Sequence, residues 1–135
     1  MTDLEIAIKN LDGHTICLCK DGNCLYSEAR GISPMMGFIA NGVNLNGYSV
    51  ADLIVGKAAA FLFIKCGVKE VYAKTLSKPA EQVLKEHGVP VTYQTLTEKI
   101  INRAGTDVCP MEKTVAETND AEEAYTLLKQ KLATM

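Results

Sequence analysis

The stretch EVYAKTLSKPAEQVLKEHGVPVTYQT, residues 70–95, decides the fold class. Its first and last parts, EVYAKT and VPVTYQT, are typical of buried strands because they are rich in β-branched and aromatic residues. The part between them has the pattern of a helix that begins at Ser77 and ends at Gly88. A strand, a helix and a second strand in this order favour parallel pairing, with helices covering the sheet.

The preceding segment is predicted to be helical too. Ser49 and Asp52 have the spacing of a capping box, which favours a helix from there to Cys66, where Gly67 ends it. Between residues 53 and 64 this helix would be apolar on nearly all sides. The sequence therefore predicts that this helix is buried.

Three further helices are predicted from similar signals. SPMMGFIANG has Ser33 as a cap and Pro34 at the first helical position. EKIINR, residues 98–103, is predicted to be helical, and a final helix begins near Asp120. We therefore expect one α/β domain over residues 1–135, with a mixed sheet of about five strands in a three-layer αβα arrangement.

The N-terminal part is predicted to be a three-stranded meander. LEIAIKN, HTICLCK and NCLYSEA are β-rich runs joined by LDGH and KDGN, which are strong hairpin signals. If Asp21 and Gly22 form a two-residue turn, Cys19 faces Cys24 across the hairpin. Cys17 then lies on the same face, two residues along the strand.

The cysteine count does not indicate a disulfide framework, because the chain has five cysteines and no C-x-x-C motif. Three thiols on one hairpin face are a candidate site for a soft metal. Burial as small hydrophobic side chains beside Ile6 and Ile8 is favoured instead. No histidine or fourth cysteine is placed to complete a tetrahedral site.

Charge and composition exclude several partners. With 14 basic and 16 acidic residues, a net charge of −2 gives no basic field for nucleic acid. The opening MTDLEIAIKN lacks the pattern of a signal peptide. The apolar run 53–64 carries Lys57 and is shorter than the roughly 20 residues that a membrane-spanning helix needs. We expect a cytoplasmic protein with neither nucleic acid nor membrane as a partner.

Two motifs carry a family resemblance. VYAKTLSKPAEQVL, residues 71–84, resembles the strand-to-helix junction where cytidine deaminases carry Pro-Cys-x-x-Cys. VGKAAAF, residues 55–61, falls where their other helix would carry His-Ala-Glu. The succession RGISPM, VGKAAA, NRAG and CPME resembles a prokaryotic family of unknown function within the cytidine deaminase-like superfamily. The resemblance implies a deaminase-like three-layer fold and very little about activity.

The zinc ligands of the deaminases are missing from the matching positions. Those enzymes need one His or Cys on the first helix, two Cys on the second, and a glutamate that moves protons. Gly56, Lys57 and Ala58 stand at the first motif, and Ala80 and Val83 stand where the two thiolates belong. We therefore expect no zinc or other cofactor, and predict that the protein is not a zinc-dependent deaminase.

The pocket of such a fold can remain without its metal. In open α/β sheets, ligands bind beyond the carboxyl ends of the parallel strands, at helix N-termini. Lys57 is the only charged residue in the run 53–64, so its ammonium must reach solvent, pair with a carboxylate or bind an anionic ligand. Gly56 in a helix interior costs roughly 1 kcal/mol, which fits either tight packing or close approach of a ligand.

Three weaker ligand-binding candidates lie elsewhere in the sequence. Ser27 ends a predicted strand, where it is either a plain strand-end residue or a donor to a ligand. Asn102 and Arg103 end the helix predicted for residues 98–103, where a cation suits the helix dipole. Arginine is also the best bidentate partner for a carboxylate or phosphate.

GTDVCPMEKTV, residues 105–115, has the pattern of a helix start. Cys109 stands at the cap, Pro110 at the first helical position and Glu112 at the third. The positive helix end favours the Cys109 thiolate, whereas the Glu112 carboxylate opposes it. Glu112 is expected to reach back to the cap backbone and is a candidate ligand-binding residue. Cys109 is either a structural or ligand-contacting cap or a catalytic nucleophile.

The sequence therefore predicts a deaminase-like domain without the zinc site. We expect it to bind a nucleotide-like or other anionic small molecule in a non-catalytic or regulatory role. The alternative is a metal-independent enzyme with Cys109 as its nucleophile. A third interpretation is a structural subunit that forms a homo-oligomer through the helix of Met35 and Met36.

Overall fold

A mixed sheet organises the chain in the computed structural model, which describes residues 1–101 and 105–134. The strands in these two ranges are β1 (Ile16–Lys20), β2 (Asn23–Ser27), β3 (Ser49–Val55), β4 (Glu70–Ser77) and β5 (Val91–Thr97). They lie in the order β2-β1-β3-β4-β5. β1 pairs antiparallel with β2 and with β3, whereas β3, β4 and β5 run parallel.

Helices cover both faces of this sheet. The helices in the described ranges are α1 (Asp3–Lys9), α2 (Ser33–Ala40), α3 (Lys57–Cys66), α4 (Lys78–Glu86), α5 (Pro110–Thr114) and α6 (Ala121–Ala133). One of them, α1, packs against β1 and β3 on one face, while α3 and α4 connect the parallel strands on the other. α3 also contacts α2, α5 and α6. Across the described ranges, no helix is long and apolar enough to cross a membrane.

Alternation along β1 divides the core into two clusters. Ile16 and Leu18 face the main cluster around α3, whereas Cys17 and Cys19 face a smaller cluster beneath α1. Every residue from Ala58 to Phe63 is buried, which confirms the prediction that this helix is covered on nearly all sides. The sheet is therefore packed on both faces, with its larger core on the α3 side.

The first predicted strand is wrong, because LEIAIKN forms the helix α1. The Thr2 hydroxyl accepts from the Glu5 backbone N–H, and the Glu5 carboxylate accepts from the Thr2 N–H. This capping box begins the helix and outweighs the β-rich composition. The predicted meander is thus a two-stranded hairpin, and β1 uses its other side to pair with β3.

The second of the two predicted hairpins, which turns at Asp21 and Gly22, is confirmed. Lys20 pairs with Asn23, and Cys19 lies opposite Cys24 with their Cα atoms 4.2 Å apart. The structure corrects one point, because Cys19 and Cys24 form a disulfide where free thiols were expected. Directly opposite residues of a hairpin bring their sulfur atoms close enough to bond.

The helix predicted from Ser49 begins eight residues later. Residues 49–55 form the strand β3, which pairs with β1 on one side and with β4 on the other. The Ser49 hydroxyl donates to the Glu70 carboxylate, 2.7 Å away, instead of capping a helix. Gly56 is the N-cap of α3, and Gly67 ends that helix in the left-handed region, as predicted. The helix-interior cost expected for Gly56 therefore does not apply.

The remaining helices are partly as predicted. α4 begins where the Ser77 hydroxyl accepts from the Ala80 N–H at 3.2 Å, and α6 begins after Asp120. α2 is confirmed, but Ile32 precedes it and Ser33 is its first residue without capping it. The predicted helix 98–103 is wrong in its described part, since Ile101 forms an antiparallel bridge with Val108.

Candidate functional site

A cavity of about 300 Å³ lies beyond the carboxyl ends of the three parallel strands. One wall residue follows each strand: Lys57 after β3, Pro79 after β4 and Lys99 after β5. The segment that leads into α5 closes the other side. The full lining is Lys57, Pro79, Lys99, Ile100, Val108, Glu112 and Ala116.

Glu112 connects α5 to the beginning of α3. Its Oε1 accepts from the Lys57 backbone N–H at 2.7 Å, and its Oε2 accepts from the Ala58 N–H at 2.9 Å. A carboxylate is well suited to this position, because the first N–H groups of a helix have no partner within the helix and carry positive charge. Glu112 therefore caps α3, which corrects the prediction that it caps its own helix.

The environment of Glu112 acts on its charge in two directions. Burial raises the pKa of this carboxyl, since a charged group is less stable away from water. The N–H groups of Ala58 and Lys57, and the positive charge of Lys57, oppose that rise in pKa. The cavity wall thus contains a carboxylate that takes up a proton more readily than an exposed glutamate.

Gly56 lies directly against that carboxylate. A Cβ atom at Gly56 would stand 2.4 Å from Glu112 Oε1 and 2.6 Å from its Cδ, closer than nonbonded atoms approach. The absence of a side chain at Gly56 is what allows Glu112 to reach the helix. The close approach expected at this glycine is therefore made by a side chain of the same protein.

Lys57 is the first residue of α3 and extends its side chain along the cavity. Its Nζ donates to the Ala116 carbonyl at 2.9 Å and lies 5.7 Å from the centre of the Phe61 ring. The backbone carbonyl is a partner that the sequence did not predict for this ammonium. The Lys57 charge is also near enough to Glu112 to lower the pKa of that carboxyl. Lys57 and Lys99 together place two cationic side chains on the cavity wall.

Two other predicted site residues, Ser27 and Cys109, do not line this cavity. Ser27 ends β2, at the opposite edge of the sheet from β5, where its hydroxyl accepts from the Ala29 N–H at 3.0 Å. Cys109 is the half-buried N-cap of α5, and its N–H donates to the Ile100 carbonyl at 2.9 Å. Asn102 and Arg103 lie outside the described residues.

Two residues with unexpected positions are Lys99 and Asp52. Lys99 was placed inside the helix predicted for residues 98–103, which is not formed in its described part, so its position on the cavity wall was not anticipated. Asp52 was interpreted as part of a capping box, but it lies buried in β3 between Ile16 and Ala73 of the neighbouring strands. A single acidic residue inside the apolar run SVADLIV is the signal that points to it.

Burial raises the pKa of Asp52 to about 8, against the opposing effect of the Ile54 and Leu53 backbone N–H groups. A buried carboxyl without a cation beside it is expected to be protonated at neutral pH. Such perturbed groups are frequent at functional sites, although structural ones also occur. Asp52 does not line the cavity of Lys57 and Lys99.

A second cavity, of about 480 Å³, lies on the α1 side of the sheet. Its walls come from the segment after α1 and from the middle of the strands, including Leu53, Tyr72, Lys74 and Gln94. It is larger than the first cavity but lies away from the strand ends, and Lys74 is the only lysine among its wall residues in the described ranges. The first cavity is therefore the better candidate site for an anion.

Comparison with known proteins places this chain in a family. A search among curated proteins finds no match. The crystal structure of a DUF1893 family protein, TM1506 from Thermotoga maritima, is similar with a TM-score of 0.85 and 28% sequence identity. That similarity covers 100% of this chain and 92% of the other. The family model for TM1506, a domain of unknown function (DUF1893), matches residues 7–132, and the chain therefore belongs to the DUF1893 family.

Proposed function

We propose that this domain binds a small anionic molecule in the cavity at the carboxyl ends of β3, β4 and β5. The binding is non-catalytic or regulatory. The observation that carries the proposal is the presence of both Lys57 and Lys99 on the wall of one cavity. The two lysines come from separate elements, and the other lining residues are mostly apolar, which is the usual composition of a small-molecule site.

The chemistry of the wall indicates what kind of anion fits. Lysine ammonium groups bind phosphates and carboxylates as point charges. Pro79, Ile100 and Val108 offer an apolar surface to the rest of the ligand. A nucleotide-like molecule, with a flat apolar body and an anionic group, combines both features. A volume near 300 Å³ is at the small end of ligand pockets, which favours a metabolite over a large cofactor.

We also propose that the fold is of the cytidine deaminase-like type, without its zinc. In support, α3 and α4 begin at the carboxyl ends of adjacent parallel strands, where the resemblance puts the two zinc-binding motifs. The residues present do not fit zinc. Gly56 and Ala58 have no ligand atom in their side chains, and Ala80 and Val83 are buried in the main core. No step through a metal follows for this site.

A thermal-shift screen with variants tests the ligand proposal. Nucleoside monophosphates, nucleoside diphosphates and sugar phosphates are added to the purified chain and the melting temperature is measured. A ligand at about 100 times its Kd adds about 2.7 kcal/mol to the unfolding free energy, which raises Tm by several degrees. We expect Lys57→Met and Lys99→Met to reduce that shift, because each keeps much of the apolar stem and loses the charge.

Two more variants distinguish this site from the second cavity. Glu112→Gln keeps one acceptor for the first N–H groups of α3 but turns an NH2 donor towards the other, so we expect it to disturb this wall and reduce the shift caused by the same anion. Lys74→Met is the matched control, since Lys74 is exposed and lines the other cavity. The proposal is contradicted if no anion raises Tm, or if Lys74→Met abolishes the shift while Lys57→Met leaves it unchanged.

A further inference from the structure

Three cysteine sulfurs lie together beneath α1, away from the candidate site. Cys17 and Cys19 come from β1 and Cys24 comes from β2, and their Sγ atoms all lie within 4.8 Å of one another. Cys17 Sγ is 3.6 Å from Cys19 Sγ, and Cys19 is bonded to Cys24. Within residues 1–101 and 105–134, this is the one group of three or more Cys, His, Asp or Glu side chains placed to share an ion.

The surroundings of this thiol cluster, Cys17, Cys19 and Cys24, are apolar. Ala7 and Leu11 from the α1 region and Ala51 from β3 are buried against it. Cys17 and Cys19 are fully buried, whereas Cys24 is half-buried and gives access from solvent.

We propose that the reduced chain binds one copper(I) ion through the Sγ atoms of Cys17, Cys19 and Cys24. Copper(I) is a soft cation that prefers thiolate sulfur. Structural zinc requires four ligands, and the cluster supplies three. The lack of a fourth ligand argues against zinc but not against copper(I) held by sulfur alone. In this proposal the Cys19–Cys24 disulfide is the oxidised, metal-free form of the same site.

The two forms are related by a balanced reaction. A small dithiol supplies two electrons and two protons, which break the Cys19–Cys24 bond and leave two thiols, while the dithiol becomes a disulfide. Copper(I) then forms bonds to the sulfur atoms, and the thiols that coordinate it release their protons to solvent. Oxidation by a small disulfide reverses the sequence, removes two of the three ligands and releases the ion.

The test is an anaerobic titration of the full chain with copper(I) against a chromogenic copper(I) chelator. We expect the reduced protein to take one equivalent from the chelator and the disulfide form to take none. Cys17→Ala should weaken binding at least about tenfold, since even outer-shell changes at metal sites cost about that much. A Cys66→Ser, Cys109→Ser double variant is the control for adventitious thiols and should bind as the wild type does.

Several results would overturn the assignment. If the reduced and disulfide forms bind copper(I) equally, Cys19 and Cys24 are not ligands. If the Cys66→Ser, Cys109→Ser double variant loses binding, the copper(I) site includes Cys66 or Cys109 instead. Tighter binding of zinc than of copper(I) would also contradict it. If Cys17→Ala does not fold, X-ray absorption on the wild type replaces it. Three sulfur neighbours around copper support the proposal, and fewer than three, or nitrogen or oxygen neighbours, reject it.

Discussion

Glu112 connects two walls of the candidate site, α5 and the beginning of α3. It lies 55 positions from Lys57 in the chain, yet its carboxylate accepts both of the first two N–H groups of α3. This contact fixes α5 against α3 and sets one wall of the cavity. Gly56 is part of the same contact, because any side chain at that position would displace the carboxylate.

A double-mutant cycle tests this contact. Glu112→Ala removes two charge-assisted hydrogen bonds, and we expect a loss of about 2 kcal/mol in the free energy of unfolding. Gly56→Ala pushes the same carboxylate away, so its cost overlaps with that of Glu112→Ala. Urea denaturation should show that the double variant loses at least about 0.5 kcal/mol less than the sum of the two single losses. Glu117→Ala, at an exposed position nearby, is the control. Additive losses would show that the contact is unimportant.

The raised pKa of Asp52 predicts that the unfolding free energy falls as pH rises through neutrality. Its pKa is raised to about 8 in the folded state, so the folded protein binds this proton more tightly than the unfolded chain does. Stability from this group is complete below the unfolded pKa of about 3.9 and is lost as pH rises towards 8, by at most about 1.4 kcal/mol per pH unit. The raised pKa of Glu112 acts in the same direction.

We therefore expect the unfolding free energy of the wild type to fall between pH 5 and pH 8.5. Asp52→Asn should flatten that fall and be the more stable protein at pH 8.5, since it removes the buried ionisable group and keeps an acceptor for the Ile54 N–H. Asp12→Asn, at an exposed position, should leave the fall unchanged. A wild-type stability that rises over this range would show that Asp52 is ionised when folded.

At the scale of elements, the sequence predicted helices and strands correctly where several local signals indicated the same structure. The 70–95 unit has strand composition, a serine cap and a terminal glycine, and the structure confirms β4, α4 and β5. The hairpin around Asp21 and Gly22 likewise has one favoured turn, and its register is as predicted. One face of α6 also packs on the core, and its residues recur at helical spacing in the sequence: Ala121, Ala124, Tyr125, Leu128 and Leu132.

Prediction failed where two local patterns overlapped. Leu4, Ile6 and Ile8 alternate as in a strand, whereas Ala7 and Leu11 recur as on a helix, and only the helical set is buried. Ser49 and Asp52 have capping-box spacing. The surrounding apolar run nevertheless forms a strand, because it pairs with β1 on one side and with β4 on the other. Pairing between distant segments decided β3, and that information is absent from a local window.

The capping box of α1 provides a test at this scale. Thr2→Ala removes the hydroxyl that accepts from the Glu5 N–H, which should cost about 1 kcal/mol and fray the helix. Hydrogen exchange should therefore become faster at residues 3–9 and, because α1 covers the smaller core, at Cys17. Thr92→Ala, at an exposed position on β5, should leave exchange at residues 3–9 unchanged. Unchanged exchange in Thr2→Ala would contradict the role of the cap.

At the scale of the whole molecule, the candidate site is a product of topology. Three parallel strands end at one edge, and a residue just beyond the end of each strand lines the same cavity. The sequence indicated Gly56, Lys57 and Glu112 separately, but nothing in their spacing showed that they would meet. Lys99 could not be placed, because the segment after β5 was taken for a helix. Similarity to TM1506 over the whole chain supports the arrangement of elements, not the ligand.

Amide chemical-shift mapping by NMR tests the central claim most directly. The nucleoside or sugar phosphate that raises Tm most is titrated into the isotope-labelled chain, and the displaced amide resonances are assigned. We expect the largest displacements at Lys57, Lys99, Ile100, Val108 and Glu112, the amides around the first cavity. Displacements concentrated at residues 11–14, Tyr72 and Lys74, around the second cavity, would contradict the proposed site, as would no displacement at millimolar ligand.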